Sequence, residues 1–526
     1  MIVGVALTLF SLFLHFQNFR HAGALWRDEV NTVELASEPS LTSIYSNLHF
    51  DSFPMLWVIL LRSFMRLAGS SDAALRGLGL VVGALSIATV WINARLFPHR
   101  IPALSLLLIG VNGAIIRYGD SLRGYGIGVL TGLLMFGALW NLTRRSDRWT
   151  ILFAAVSSLL AVHSLFYNAV FLFAACMGGT AVMLRRRDRQ GIVAFLSIGA
   201  ISALSLALYL PMIQGNRAWS DLVRYNVGPS WFWNRWGNAL AMNGESMRFL
   251  WTLIFVLACS LGIATLRKSD AGNEKKEVAL FCLTTLLVGT IGYFIFLSSL
   301  NYLTEPWYYL TLMALIASCL DSLFGLLDRR NQRLTISVIM AVLATLAIEP
   351  VLVALQSPQT NIDLIARKIS DEASADDLVF VFPWQVGISF QRYYRGVAEW
   401  QTLPPVAFHR WHRYDLYKEA MSDPVALERF LADVEVRLAE GGRVWIVAPP
   451  VDTQAALSSQ PRPRLVADDQ IWRTRLDTLL ESRRPHEQLF RLGSVRGDFE
   501  NLLLELSMED TPSPSEGETR PPRSTL

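Results

Sequence analysis

Long apolar runs dominate the chain. They fall at about 2–19, 53–69, 75–96, 101–116, 124–142, 150–163, 165–184, 191–213, 247–266, 278–299, 306–326 and 333–355, separated by short polar breaks. A helix rises 1.5 Å per residue, so about 20 apolar residues cross a bilayer. As a single helix, Trp149–Leu184 would measure about 54 Å. It must therefore be two helices, turning near His163-Ser164. Beyond residue 357 the pattern changes. "DDLVFVFP" (376–383) and "GRVWIVAPP" (442–450) read as buried strands, and stretches near 384–395, 423–440 and 468–484 read as helices. Such alternation predicts a small α/β domain.

Composition agrees with the runs. Of the 526 residues, 52% are apolar and 17% charged, against about 25% charged in a soluble domain, and mean hydropathy is +0.34. The chain reads as a polytopic integral membrane protein, with its first run an uncleaved span. A net charge of +3 offers no electrostatic footprint for nucleic acid. Cys176, Cys259, Cys282 and Cys319 all lie in apolar runs and form neither a disulfide framework nor a metal spacing.

Charge sets the topology. The breaks at 97–100, 143–149, 185–190, 267–277 and 327–333 carry fifteen Lys and Arg, whereas those at 117–123, around 164, at 214–246 and at 300–305 carry five. The positive-inside rule makes the first set cytoplasmic. With a cytoplasmic N-terminus, that sidedness requires 53–69, which contains Pro54, Arg62 and Arg66, to lie along the membrane without crossing. The expectation is eleven spans, a first external loop at about 20–74, a transmembrane domain at 1–356, an extracytoplasmic domain at 357–506 and a disordered Pro/Ser/Glu-rich tail at 507–526.

Odd polar residues then gather on the external side: Arg27, Asp28 and Glu29 in "LWRDEVNTVELA", "RYGDSLRGY" (117–125), His163, and "NYLTEPWYY" (301–309). Ionisable groups at a membrane boundary are candidates for function. Asp28 also fits a helix N-cap, Arg117 and Arg123 fit snorkelling anchors, and His163 fits a hydrogen-bonded structural role. The tryptophans of 214–246 fit an interfacial belt. The cluster suits sugar transfer from an anionic lipid. Arginines would grip the phosphate, and a carboxylate would take the proton of the attacking hydroxyl.

On these motifs the chain resembles the GT-C glycosyltransferases that use polyprenyl-phosphate sugars, over roughly residues 1–355. The branch is that of protein O-mannosyltransferases, aminoarabinose transferases and RgtA/B/C/D-like enzymes. Trp26-Arg27-Asp28-Glu29 matches the early acidic motif. "DSFPMLWVILL" matches an Asp-x-His-Pro-Pro-like stretch at Asp51 and Pro54, with Phe53 and Met55 departing from it. Tyr118, Arg123 and Tyr125 match a Tyr-x-x-x-x-Arg-x-Tyr-like turn, and His163 matches a histidine of many members. A late basic-Tyr motif is expected near 301–309. Asn301-Tyr302 or Trp307-Tyr308 lies there without a basic residue, which leaves Arg217, Arg224 or Arg235 as replacements.

The resemblance implies a GT-C fold of about 11 transmembrane helices plus the C-terminal α/β domain, set in a bacterial inner membrane. It implies Asp28 as catalytic base with Glu29 supporting it. Arg27, Asp51, Arg117, Tyr118, Arg123, Tyr125, His163 and Tyr302 would bind the donor's phosphate and sugar. The implied partners are a polyprenyl-phosphate-linked sugar, a glycan, lipid or protein acceptor, and membrane lipid. No cofactor is expected, though a divalent metal at Asp28/Glu29 stays open. Two rivals stand beside this reading: a transporter or flippase of lipid-linked glycans, and a diphosphate-dependent glycan ligase or polymerase. A transporter would favour ionisable groups at the bilayer midplane.

Overall fold

The computed structural model describes residues 2–97, 101–242, 245–327, 337, 348–450, 463–483 and 497–507. Among the described residues, eight helices are long and apolar enough to cross a membrane. They are Ile2–His21 (α1), Asp72–Leu96, Tyr125–Arg144, Asn168–Arg186, Arg189–Arg217, Met247–Arg267, Asn273–Leu300 and Pro306–Phe324. A shorter apolar helix, Arg148–Ser164, precedes Asn168, so the 36-residue apolar stretch does turn at His163-Ser164. Most of the run at 333–355 lies outside the described residues, as does nearly all of the tail.

The loop after α1 carries three helices: α2 (Arg27–Ala36), α3 (Leu41–Asn47) and α4 (Met55–Ala68). At 14 residues, α4 spans about 21 Å, short of the ~30 Å hydrocarbon core. It buries Trp57, Val58 and Leu61 against Val30, Val33 and Leu35 of α2. Its Arg62 donates to the carbonyls of Ala36 (3.0 Å), Glu38 and Pro39 (3.0 Å). It thereby satisfies orphan acceptors at and just beyond the end of α2. Asp72–Leu96 follows as α5.

The run at 101–116 departs from the expected span. It forms two short buried helices, α6 (Ala103–Leu108) and α7 (Gly113–Gly119). The break is built into the sequence. Asn112 turns its side chain back to cap the Ile115 N–H at 3.0 Å. At the other end, the N–H groups of Leu104 and Ser105 donate to Asp321 of a neighbouring span, each at 3.3 Å. A buried carboxylate thus answers the first orphan donors of α6 inside a membrane domain. The turn after α7 runs close against its neighbours. A Cβ at Gly79 of α5 would sit 2.0 Å from the Asp120 carbonyl, and one at Gly126 would sit 1.9 Å from that of Gly119. Tyr125–Arg144 is α8.

The C-terminal region folds around a four-stranded sheet, β1 (Leu378–Val381), β2 (Glu399–Thr402), β3 (Val444–Ala448) and β4 (Leu503–Ser507), in the order β2-β1-β3-β4. β1 pairs in parallel with β2 and β3, and β4 is antiparallel to β3. Val379, Val381, Trp445 and Val447 pack on Ile362, Ile365, Ile369 and Phe390. The alternate residues Leu378, Phe380, Val444 and Ile446 pack on Phe430, Val434, Trp472 and Leu476. Both faces are covered, as a mostly parallel sheet requires. The expected strands and the helices at Gly387–Tyr393, Ala426–Ala439 and Arg464–Arg483 are present. β2 and β4 were not expected.

Candidate active site

The site is organised by α2, which is held at both ends and along its length. The backbone N–H of Arg27 donates to Glu500 at 3.1 Å, so a carboxylate of the C-terminal region covers an orphan donor of the first turn. Trp26 occupies the N-cap position without a side-chain cap, so Asp28 lies within the first turn and is not the cap. Farther along, Arg410 pairs with Glu34 (3.0 Å) and Glu38 (3.1 Å). The N–H of His412 donates to Asn31 at 2.8 Å.

The adjacent acids of α2 have opposite fates. Glu29 is fully buried. It pairs with Arg76 of α5 at 2.5 Å and accepts the N–H of Leu122 at 2.9 Å. Arg76 also donates to the Ala24 carbonyl at 2.7 Å. Glu29 is therefore a lock between α2, α5 and the 117–123 turn, and its carboxylate serves those partners rather than Asp28. Among the described residues, no three His, Cys, Asp or Glu converge as a metal site.

Asp28 turns the other way, into a cavity of about 1020 Å³. Nε2 of His412 lies 3.2 Å from its Oδ1, Arg27 Nε lies 3.6 Å from that oxygen, and Arg123 Nη2 lies 4.0 Å from Oδ2. Burial alone would raise its pKa. The hydrogen bond from His412 and the charges of Arg123, His412 and Arg27 outweigh burial and hold it well below the usual carboxylate range. Arg123 is itself buried. It pairs with Asp51, donates to Thr32 Oγ1 (2.8 Å) and the Asp28 carbonyl (3.0 Å), and stacks 4.5 Å from the Phe53 ring. Burial would lower its pKa, but the charges of Asp51 and Asp28 raise it overall. Asn31 and Thr32 bind the Asp51 carboxylate at 2.8 and 3.1 Å. Arg123 is thus committed to protein carboxylates.

The remaining walls differ in character. Arg217, Ser220, Arg224, Tyr302, Glu305 and Tyr414 line one side, and both arginines are exposed. Residues 224 and 302 form an antiparallel bridge, and Tyr225 N–H donates to the Asn301 carbonyl at 2.9 Å. Two separate loop segments are thereby stitched together, bringing Arg224 beside Tyr302. Arg235 is occupied, pairing with Glu305 at 3.2 Å and stacking on Trp231. The apolar lining comes from three spans: Val170 and Phe173 from one, Leu206 and Ile213 from the next, and Gly292, Phe296 and Leu300 from a third. Of these, Phe173, Ile213 and Leu300 are 57%, 44% and 37% exposed, so the apolar lining continues onto the outer surface of the helices.

Of the residues singled out from sequence, Asp28, Asp51, Arg123, Tyr125 and Tyr302 line this cavity, while Arg27, Glu29, Arg117, Tyr118 and His163 do not. Arg27 lies across Trp26 and beside Glu500. Arg117 is fully buried. It donates to the carbonyls of Ala354, Ser357 and Pro358 and pairs with Asp498 at 2.6 Å. It fastens the chain where the transmembrane region gives way to the sheet region. Tyr118 stacks on Phe499 with ring centroids 5.0 Å apart. His163 bonds to Tyr209 (3.0 Å) and Ser205 (2.9 Å), joining two spans. The sequence reading missed His412 and Tyr414. The available signal was "FHRWHRYDLY" (408–417), a concentration of aromatic, histidine and arginine residues following β2.

Eight long apolar helices followed by a small sheet region mark an integral membrane protein, and its fold is one already seen among solved structures. No family model matches the chain, and no curated protein matches it. Among solved structures it is similar to ArnT from Cupriavidus metallidurans bound to undecaprenyl phosphate, with 13% identity, a TM-score of 0.52, and coverage of 96% of this chain and 97% of that one. The apo state of the same protein aligns with 12% identity, a TM-score of 0.53 and the same coverage.

Proposed function

We propose that this protein is a glycosyltransferase that moves a sugar from a polyprenyl-phosphate donor to a hydroxyl acceptor, on the extracytoplasmic face of a bacterial inner membrane, by an inverting single displacement. One observation carries the reading. A single cavity joins an ionised, cavity-facing Asp28 to two exposed arginines and to a cleft between lipid-facing helices. That sequence of surfaces fits a molecule with a reacting sugar, an anionic head and an apolar tail. The fold shared with ArnT, solved with undecaprenyl phosphate, supports it.

In this mechanism Arg217 and Arg224 grip the lipid phosphate. Arg224 beside Tyr302 supplies the late basic-Tyr pair from two segments rather than one. The acceptor oxygen attacks the anomeric carbon as the bond from that carbon to the phosphate oxygen breaks. The bonding pair leaves with the phosphate, whose charge the arginines stabilise, and the hydroxyl proton passes to Asp28. A weakly basic carboxylate suffices. The oxocarbenium character of glycosyl transfer draws electrons from the incoming hydroxyl, which becomes acidic as its bond forms. Arg123 and Asp51 hold Asp28 in place. The N-terminus is cytoplasmic in this reading, and residues 1–356 and 357–506 form the transmembrane and external domains.

The test is Asp28→Asn in nanodiscs, assayed by thin-layer chromatography of radiolabelled polyprenyl-phosphate sugars. Transfer should fall about 10²–10⁴-fold while undecaprenyl phosphate still binds. A correctly inserted variant with near-normal turnover removes Asp28 as the base.

A further inference from the structure

His412 reaches Asp28 from 384 positions away in the chain, on a segment that belongs to the sheet region. An ionised carboxylate only accepts hydrogen bonds, so the imidazole Nε2 facing it at 3.2 Å must carry the hydrogen. We propose that His412 is a positioning residue for Asp28. Its Nε2–H holds Oδ1, leaves Oδ2 facing the acceptor hydroxyl, and makes the external domain part of the site rather than a neighbour of it. This inference rests on the reading of Asp28 as the base.

The ring's role is separable from the docking of its loop. The segment is already fastened to α2 by the His412 backbone N–H on Asn31 and by Arg410 on Glu34 and Glu38. None of these contacts uses the imidazole. The ring stands edge-on to Trp384 at 6.1 Å and beside Tyr414 at 5.8 Å. That packing fixes its plane, and Tyr414 itself stacks on Trp219 at 4.5 Å. A loop held by backbone and salt bridges, carrying a ring oriented by aromatics onto one carboxylate oxygen, has the build of an orienting group. Fixing one oxygen matters because a carboxylate free to rotate presents its second oxygen only part of the time.

Two substitutions in the full-length protein separate the possibilities. His412→Phe keeps the ring volume and removes the donor. His412→Gln places an amide N–H near the position of Nε2 and cannot charge. Expected results are a roughly ten- to hundred-fold lower kcat for His412→Phe, unchanged binding of undecaprenyl phosphate and an unchanged donor KM, and partial recovery of kcat in His412→Gln. Wild-type kcat in His412→Phe, or His412→Gln no better than His412→Phe although both insert and melt normally, overturns the proposal. Asp28→Asn serves as the companion. If it stays active, the base assignment fails. If it is dead while His412→Phe turns over normally, only the role of His412 fails.

Discussion

Glu29→Gln probes the division of labour between adjacent acids. Glu29 is fully buried and Arg76 is 5% exposed, with 2.5 Å between them. Removing one partner of such a pair typically costs 3–5 kcal/mol, because the other charge is left buried and unbalanced. Glutamine keeps an oxygen for the Leu122 N–H, and Arg76 keeps the Ala24 carbonyl. The expected cost is therefore at the lower end, about 3 kcal/mol. At roughly 2 °C per kcal/mol for a large chain, Tm in detergent should fall about 6 °C. Transfer by the folded fraction, measured well below Tm, should stay within about threefold of wild type, since a lock outside the cavity contributes nothing to the barrier. Arg76→Met alone should also destabilise. The double variant should be less destabilised than the two single changes combined, by on the order of 2 kcal/mol. Asp28→Asn should show the reverse pattern, an ordinary melt and no transfer. A Glu29→Gln protein that melts like wild type but has lost transfer would refute the reasoning and bring Glu29 into the chemistry.

The donor and topology assignments have their own tests. Arg217→Ala and Arg224→Ala should each raise the donor KM about tenfold or more, and Arg224→Lys should recover only part, because an ammonium cannot reproduce the guanidinium fork; unchanged KM and kcat in the double alanine variant would remove both from the phosphate. For topology, alkaline phosphatase fused after residue 360 should be active and after residue 188 inactive, with green fluorescent protein giving the opposite pattern; phosphatase activity at 188 would reverse the orientation.

What could be read from the chain follows from physical range. Spans depend on local apolar length, so nine of the eleven expected segments are single apolar helices among the described residues, and the segment 53–69, set apart by the charge argument, contains a 14-residue α4. The break at 110–112 escaped because an uninterrupted apolar run hides it. At the break Asn112 caps α7, while Asp321, more than 200 residues away, binds the start of α6. Asp28 was legible through its position after the first span. The separation of Asp28 from Glu29 was not, because it depends on α5 supplying Arg76. The same holds for Arg117, an external arginine by sequence and an internal fastener by structure, and for His412, whose partner lies at the other end of the chain. β1 and β3 stand out as unbroken apolar runs, LVFV and VWIVA, whereas β2 and β4, of the same lengths, read EWQT and LLELS, with polar residues that break the pattern.

A lipid donor of the proposed kind, reaching the cavity between the spans bearing the exposed Phe173, Ile213 and Leu300, changes the meaning of substrate supply. A ligand entering there arrives by diffusion within a sheet of lipid, so the quantity the site senses is a number of molecules per area of leaflet. Its Michaelis constant is then a mole fraction. Adding empty lipid or detergent at fixed donor would slow turnover by dilution alone, and the spent carrier, departing the same way, would compete with fresh donor in proportion to its share of the surface.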